Sequence, residues 1–132
     1  MRSQLSPRTI ETLTPHVSPD ALRRMRVMTG RPWRWFPQVI RMAAVTFGDH
    51  VLMRPGRFDE TTPRGLALIA HEAMHVAQYR RYGRIGMCLR YLAGQFRCGF
   101  IHDRHHMERP CIEVQVIVRA LLEKRVREGV DV

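Results

Sequence analysis

One segment of the chain has both the start and the stop signals of a helix, and it contains two histidines. Thr62 can cap the helix, Pro63 suits its first turn, and Gly83 can end it. Side chains four residues apart lie one above the other on a helix, so His71 and His75 share a face. Two neutral imidazoles in this arrangement can bind one zinc ion together. The segment therefore predicts a zinc site on a helix.

Glu72 follows the first histidine and completes an H-E-x-x-H pattern. Successive helical residues point about 100° apart, so Glu72 is expected beside the metal rather than among its ligands. A carboxylate in that position can take a proton from water that the metal activates. The apolar residues of the segment lie on the opposite side of the helix: Leu66, Ile69, Ala73, Val76 and Ala77. The histidines are therefore expected to face a cleft or a second layer.

A zinc site built on two histidines needs a third protein ligand from elsewhere in the chain. The longer metzincin pattern would place a glycine at position 78 and a histidine at position 81. This chain has Gln78 and Arg81 there, so that class does not fit. The remaining candidates are two glutamates of a later predicted helix and a loop of histidines: Glu108, Glu113, His102, His105 and His106.

The two glutamates are five residues apart, so at most one of them can face the ion. Glu108 has the small Cys111 three residues further on, which would let two helices approach closely. Glu113 lies beside Ile117 and would be costly to bury there without a partner. Glu108 is therefore the favoured third ligand, with Glu113 and the histidine loop as alternatives.

Short strands and helices are predicted for the rest of the chain. Residues 1–20 hold three prolines and are expected to form an irregular lead-in, with one domain over residues 21–132. Ser18 and Pro19 can begin a short helix, and residues 24–30 and 42–56 alternate as strands do, the second stretch around a Gly48-Asp49 turn. Two further helices are predicted over residues 85–96 and 108–129. The second tolerates Pro110 in its first turn, and its apolar middle is expected to be buried.

Composition limits what else the chain can be. Its 132 residues suit a single domain, and three cysteines without a C-x-x-C pair argue against a disulfide framework. The formal net charge of +10 predicts weak, non-specific attraction to nucleic acid or anionic surfaces, since the arginines are scattered. No apolar run approaches the roughly 18 residues of a transmembrane segment. Without a hydrophobic signal region, we expect cytoplasmic synthesis, with any export by a specialised secretion system.

Four stretches of the sequence resemble a known family: VTFGDHVLM, GLALIAHEAMHVAQYRRYG, LRYLAG and HHMERPCIEVQ. They are similar to the small zincin-like domains associated with bacterial extracellular contractile injection systems and phage-tail-like loci. The resemblance spans residues 25–120 and departs from the family's usual pattern at Pro110. It implies an α+β, gluzincin-type fold in a single domain. A small antiparallel sheet would precede the active-site helix, with further helices packed around it.

The resemblance also implies one zinc ion per chain, held by His71, His75 and Glu108, with Glu72 as general base. The leading hypothesis is a metallopeptidase in which zinc-bound water attacks a peptide bond of a peptide or protein substrate. Candidates for stabilising the oxyanion stay open: Tyr79, Tyr82, Tyr91, His102, His105 and His106. The alternatives are a non-catalytic, zinc-stabilised adaptor or cargo domain of a phage-tail-like particle, with its components as partners, and a DNA-associated zinc protein.

Overall fold

Four helices and a small sheet make up the protein in a computed structural model that describes residues 2–29, 44–54, 56–97 and 106–130. In chain order the elements are β1 (Arg2–Ser3), α1 (Pro7–Leu13), α2 (Pro19–Arg24), β2 (Arg26–Met28), β3 (Ala44–Phe47), β4 (His50–Met53), α3 (Pro63–Arg97) and α4 (Arg109–Arg127). This confirms the α+β class. No helix within these ranges is long and apolar enough to cross a membrane.

The sheet is mixed, and the expectation of an antiparallel sheet was wrong. Its strand order is β1-β2-β4-β3, and β1 contributes only two residues. The predicted hairpin forms, with β3 antiparallel to β4 around Gly48, which has a positive φ of 63°. However, β2 pairs parallel to β4, with Val27 opposite Val51. Patterns within single strands do not encode such non-local pairing, so it could not be predicted from the sequence.

The first twenty residues are not an irregular lead-in. Ser6 caps α1 by accepting a hydrogen bond from the backbone N–H of Thr9 at 3.2 Å, and Pro7 occupies the first turn. Leu13 is fully buried, and the carboxylate of Glu60 accepts a hydrogen bond from the backbone N–H of Ser6 at 2.9 Å. Therefore α1 belongs to the core, and the Ser-Pro pair that begins it is the same signal that correctly predicted α2.

Helix α3 begins and bends where the sequence predicts. The Thr62 hydroxyl accepts a hydrogen bond from the N–H of Gly65 at 3.1 Å, and Pro63 is the first residue. Gly83 has a φ of 73° and interrupts the helix, so α3 consists of a first segment before Gly83 and a second segment over residues 84–97. The second segment corresponds to the separately predicted helix of residues 85–96.

The first segment of α3 packs on the sheet and on α1 and α2. Its core side carries the predicted apolar residues, of which Leu66, Ile69 and Val76 are fully buried. They form one hydrophobic cluster with side chains of the sheet and of the first two helices, including Val27, Val51, Met53, Leu13 and Leu22. Burial of this shared apolar surface fixes the first segment of α3 against the sheet.

Helix α4 forms as predicted, with Pro110 in its first turn, but its middle is not buried on all sides. Val118 and Leu122 are buried, whereas Val116 and Ile117 are 62% and 53% exposed. The expectation of burial around the whole helix was therefore wrong. Helix α4 therefore has apolar residues on exposed sides as well as on its buried side.

Candidate metal centre

The two histidines face a second layer, as expected from their position opposite the core side of α3. His71 and His75 are each only 7% exposed, and their ring centroids are 5.2 Å apart. The residues that meet them come from the start of α4 and the turn before it. The site is therefore an interior position between two helices.

Glu108 brings its carboxylate to both histidines. Its Oε2 lies 3.2 Å from Nε2 of His71, and its Oε1 lies 2.8 Å from Nε2 of His75. Glu108 is 2% exposed and directly precedes α4, whereas Glu113 is exposed. The structure thus brings the favoured glutamate to the histidines and leaves the other at the surface. His106 is exposed, and His102 and His105 lie outside the described residues.

These three side chains have the ligand chemistry of a zinc site. Two imidazoles and one carboxylate are a usual ligand set for catalytic zinc, with bonds of about 2.0–2.2 Å. Ligand atoms on a tetrahedron of that size are roughly 3.3 Å apart. The separations of 3.2 Å from His71 and 2.8 Å from His75 are of that order, although they reach different oxygens of Glu108. The donor atoms therefore fit a zinc ion in their chemistry and their proximity.

Gln78 fixes the ring of His75 in the orientation that a metal ligand needs. Its Nε2 donates to the carbonyl of Met107 at 2.7 Å, so its Oε1 faces the other way and accepts from Nδ1 of His75 at 2.9 Å. In the metal-free site Nε2 of His75 donates to Glu108. Loss of that proton would leave the remaining one on Nδ1 and free the lone pair of Nε2 for a metal. Nδ1 of His71 is buried without a hydrogen-bond partner in the described part of the chain.

Cys111 is a second group within reach of the histidines. Suitable ligand atoms of His71, His75 and Cys111 all lie within 4.8 Å of one another, so these residues too can hold a metal ion. However, the thiol lies 3.7 Å from Nδ1 of His75, the nitrogen that Gln78 already occupies, and it donates to the carbonyl of Met107 at 3.4 Å. Glu108 faces the Nε2 atoms instead.

Burial and hydrogen bonds shift the pKa values of the groups in the site. Burial opposes ionisation of Glu108, but the hydrogen bonds from His71 and His75 outweigh it and hold the pKa of Glu108 far below its usual range. Burial also disfavours charge on His75, yet contacts with Cys111 and Glu108 raise the pKa of His75 well above its ordinary value. Burial raises the pKa of the Cys111 thiol. Without a metal, the site therefore favours an ion pair between His75 and Glu108.

Glu72 and Glu108 have different hydrogen-bond partners. Its Oε2 accepts a hydrogen bond of 2.6 Å from the hydroxyl of Thr46 on β3, and the residue is only 5% exposed. Glu72 directly follows His71 on the same helix. Glu72 thus contacts β3, whereas Glu108 contacts the two histidines.

Of the three tyrosines that were candidates for stabilising the oxyanion, Tyr91 contacts the site. Its hydroxyl donates to Oε1 of Glu108 at 3.2 Å, and burial together with the charge of Glu108 raises its pKa. Tyr79 packs edge-on against Phe47, and Tyr82 lies beneath the guanidinium of Arg90. Nothing in the sequence pattern marks Thr46 as a site residue, because the fold alone brings its strand to Glu72.

A family model places the chain among known domains. The model for the eCIS core domain matches residues 4–83, which is more than half of the sequence. The chain belongs to the eCIS core domain family. This membership associates it with extracellular contractile injection systems. No curated protein and no solved structure matches the sequence.

The eCIS core domain match covers residues 4–83, whereas the resemblance noted in the sequence spans residues 25–120. It begins at residue 4 and so includes α1 and α2, consistent with their place in the core. It includes Thr46, His71, Glu72, His75 and Gln78, and it ends at Gly83, where α3 is interrupted. The residues from the α4 side, Glu108 and Cys111, lie beyond the matched region.

Proposed function

We propose that this eCIS core domain is a zinc-dependent metallopeptidase of a contractile injection system. His71, His75 and Glu108 would hold the zinc ion, and Glu72 would act as general base. The proposal rests on the different contacts of the two glutamates. Glu108 meets Nε2 of both histidines, whereas Glu72 is held by Thr46 beside them. A purely structural site has no need of the second carboxylate.

The metal and the residues around it have separate tasks. Zinc, when bound, supplies a Lewis acid that polarises a carbonyl and makes water more acidic. Glu72 accepts a proton from water and later delivers it to the leaving amine. Thr46 orients Glu72 through its hydrogen bond to Oε2. Gln78 keeps the proton of His75 on Nδ1, and the ionised Glu108 supplies negative charge.

Strand β3 is a suitable place for an extended peptide substrate. It is the last strand in the sheet order, so one of its sides is not paired within the described sheet. It also carries Thr46, which contacts Glu72. An extended peptide can add to such a strand edge through main-chain hydrogen bonds. A substrate bound there would run past the proposed base, which supports peptide hydrolysis over reactions of small molecules.

Hydrolysis by wild type and by Glu72→Gln tests the proposal. The glutamine keeps the shape of the side chain but cannot act as base, so the rate should fall about 10²-fold or more while zinc is retained. Glu113→Gln is the matched control, because Glu113 is exposed on α4. Quenched fluorescent peptide pools and unfolded proteins are suitable substrates. Equal cleavage by wild type and Glu72→Gln, with zinc retained, would refute the mechanism.

A non-catalytic adaptor or cargo domain of the same particle is the second candidate. It is favoured by the exposed apolar residues of the second segment of α3, such as Ile85 and Leu89, which are 79% and 63% exposed. Such surface is typical of an interaction module. An adaptor would hydrolyse none of the substrates before or after the Glu72→Gln change, yet it would lose stability when zinc is removed.

A further inference from the structure

The second segment of α3 is apolar on two opposite sides. Its inner side faces the protein, where Met87 is 2% exposed and Tyr91 donates to Glu108. Its outer side carries four large residues that are 54–79% exposed: Ile85, Leu89, Leu92 and Phe96. We call these four residues the outer stripe. A surface helix of a globular protein normally has one apolar side, so the outer stripe indicates a second binding surface.

The spacing of the outer stripe is that of a helix-packing seam. Its members follow one another at intervals of four, three and four residues. At about 100° per residue they fall within roughly 60° of arc, which makes a narrow row. Apolar residues that alternate in this way meet a facing helix in coiled-coil-like packing. The small Gly86 and Ala93 border the row and allow a close approach.

The charge around the outer stripe has one sign. Between residues 80 and 102 the sequence contains arginines but neither aspartate nor glutamate. Arg90 and Arg97 lie seven residues apart, beyond the small residues on one flank of the stripe, so they repeat with the period of the seam. We infer that the outer stripe docks an amphipathic helix of a partner protein whose own apolar row is flanked by acidic residues.

Two other occupants fit the surface less well. A second copy of the chain would bring the same arginines and a formal net charge of +10 to the interface. An anionic membrane is best met by basic side chains that extend toward it. Here the guanidinium of Arg90 lies 4.2 Å from the ring centroid of Tyr82, and that of Arg84 lies 5.7 Å from that of Phe47. Arginines that stack on rings of the protein lie along the helix, where the N–H edge of Arg90 can meet a carboxylate of a helix packed alongside instead of extending toward a lipid surface.

Binding of designed helical peptides to the full chain tests the inference. The probe is a three-heptad peptide with leucines along one row and glutamates on both flanks. The control probe has the same leucines with lysines in place of the glutamates. Fluorescence anisotropy at low and at physiological salt should show at least about tenfold tighter binding of the glutamate peptide. The difference between the peptides should shrink as salt rises.

Substitutions locate the surface. Leu89→Gln with Leu92→Gln should weaken binding of the glutamate peptide about tenfold or more, since both residues lie in the centre of the outer stripe. Val126→Gln with Val130→Gln is the matched control, because these valines are 50% and 51% exposed in the last turn of α4 and just after it. Arg90→Glu should shift the preference toward the lysine peptide. Circular dichroism of each variant verifies that the fold is kept.

Three outcomes would overturn the inference. The first is equal binding of the glutamate and lysine peptides. The second is binding of the glutamate peptide that Leu89→Gln with Leu92→Gln leaves unchanged. The third is that neither peptide binds, while phosphatidylserine vesicles bind or sedimentation shows a dimer, and the double leucine variant abolishes that association. The last result would assign the outer stripe to a membrane or to a second copy of the chain.

Discussion

Thr46 on β3 donates its hydroxyl proton to Oε2 of Glu72 on α3 at 2.6 Å, although the two residues are 26 positions apart in the sequence. The bond joins the last strand of the sheet to the proposed general base. Hydrogen bonds to an ionised carboxylate are among the stronger ones in proteins. Thr46 is therefore positioned to hold Glu72 in its working orientation.

Thr46→Val is predicted to slow peptide hydrolysis about tenfold, the effect of losing one hydrogen bond to a charged group. The loss should be smaller than that of Glu72→Gln, and the zinc content should not change. Steady-state hydrolysis with metal analysis of the same samples measures both quantities. Thr12→Val is a suitable control, since the Thr12 hydroxyl donates to the carbonyl of Arg8 in its own helix. Unchanged hydrolysis by Thr46→Val would remove Thr46 from the mechanism.

Gln78→Leu is predicted to lower zinc affinity about 10–100-fold, the usual effect of losing the partner that orients a metal-binding histidine. The leucine can no longer accept the Nδ1 proton of His75, so the ring and its protonation are less well fixed. Competition with a chromogenic chelator measures the affinity. Gln115→Leu on α4 is the matched control. Equal affinities of wild type and Gln78→Leu would contradict this role.

Elements set by local signals were predictable from the sequence, and those set by distant contacts were not. The start of α3 at Thr62 and Pro63 and its interruption at Gly83 follow from nearby residues. The parallel pairing of β2 with β4 depends on tertiary contacts, as does the meeting of Thr46 with Glu72. The exposure of Val116 was missed because apolar pattern alone does not show which sides of α4 the protein covers.

The same division applies to the candidate site. Helical spacing places His71, Glu72 and His75 together, because side chains one turn apart must be neighbours. The small Cys111 near Glu108 and the cost of burying Glu113 favoured Glu108 as the third ligand, and the structure brings Glu108 to the histidines. The proximity of the Cys111 thiol to His75 was not foreseen, since its small size alone was considered.

The metal-free protein is predicted to be most stable between about pH 4.5 and pH 6.5, the ordinary pKa values of its buried glutamate and histidine. The pKa of Glu108 is lowered by folding, so its contribution is present above pH 4.5 and is lost as the pH falls further. The pKa of His75 is raised, so its contribution is full below pH 6.5 and is lost as the pH rises through the folded value.

Urea denaturation of the chelator-treated protein at several pH values measures this dependence. His75→Gln should flatten the decline on the alkaline side, because glutamine does not titrate. A metal-free protein that gains stability between pH 6.5 and pH 9 would contradict the predicted ion pair of His75 and Glu108.

Gly65→Ala is predicted to destabilise the fold by about 1–3 kcal/mol or more, as overpacking of a close contact does. A Cβ at Gly65 would lie 2.0 Å from the backbone oxygen of Asp59, so the start of α3 would have to move. Gly86→Ala is the matched control in the same helix, where the added Cβ would meet Tyr82 at an ordinary 3.6 Å. Thermal unfolding should place Gly86→Ala at or above wild type, and equal loss in both variants would contradict the argument.

The zinc content of single-ligand variants tests the central claim most directly. Elemental analysis should find about one zinc per chain in the wild type, in Glu113→Ala and in Cys111→Ala. It should find little in Glu108→Ala, because Glu108 meets Nε2 of both histidines, whereas Cys111 faces the other nitrogen of His75. Full zinc in Glu108→Ala together with its loss in Cys111→Ala would contradict the proposed ligand set of His71, His75 and Glu108.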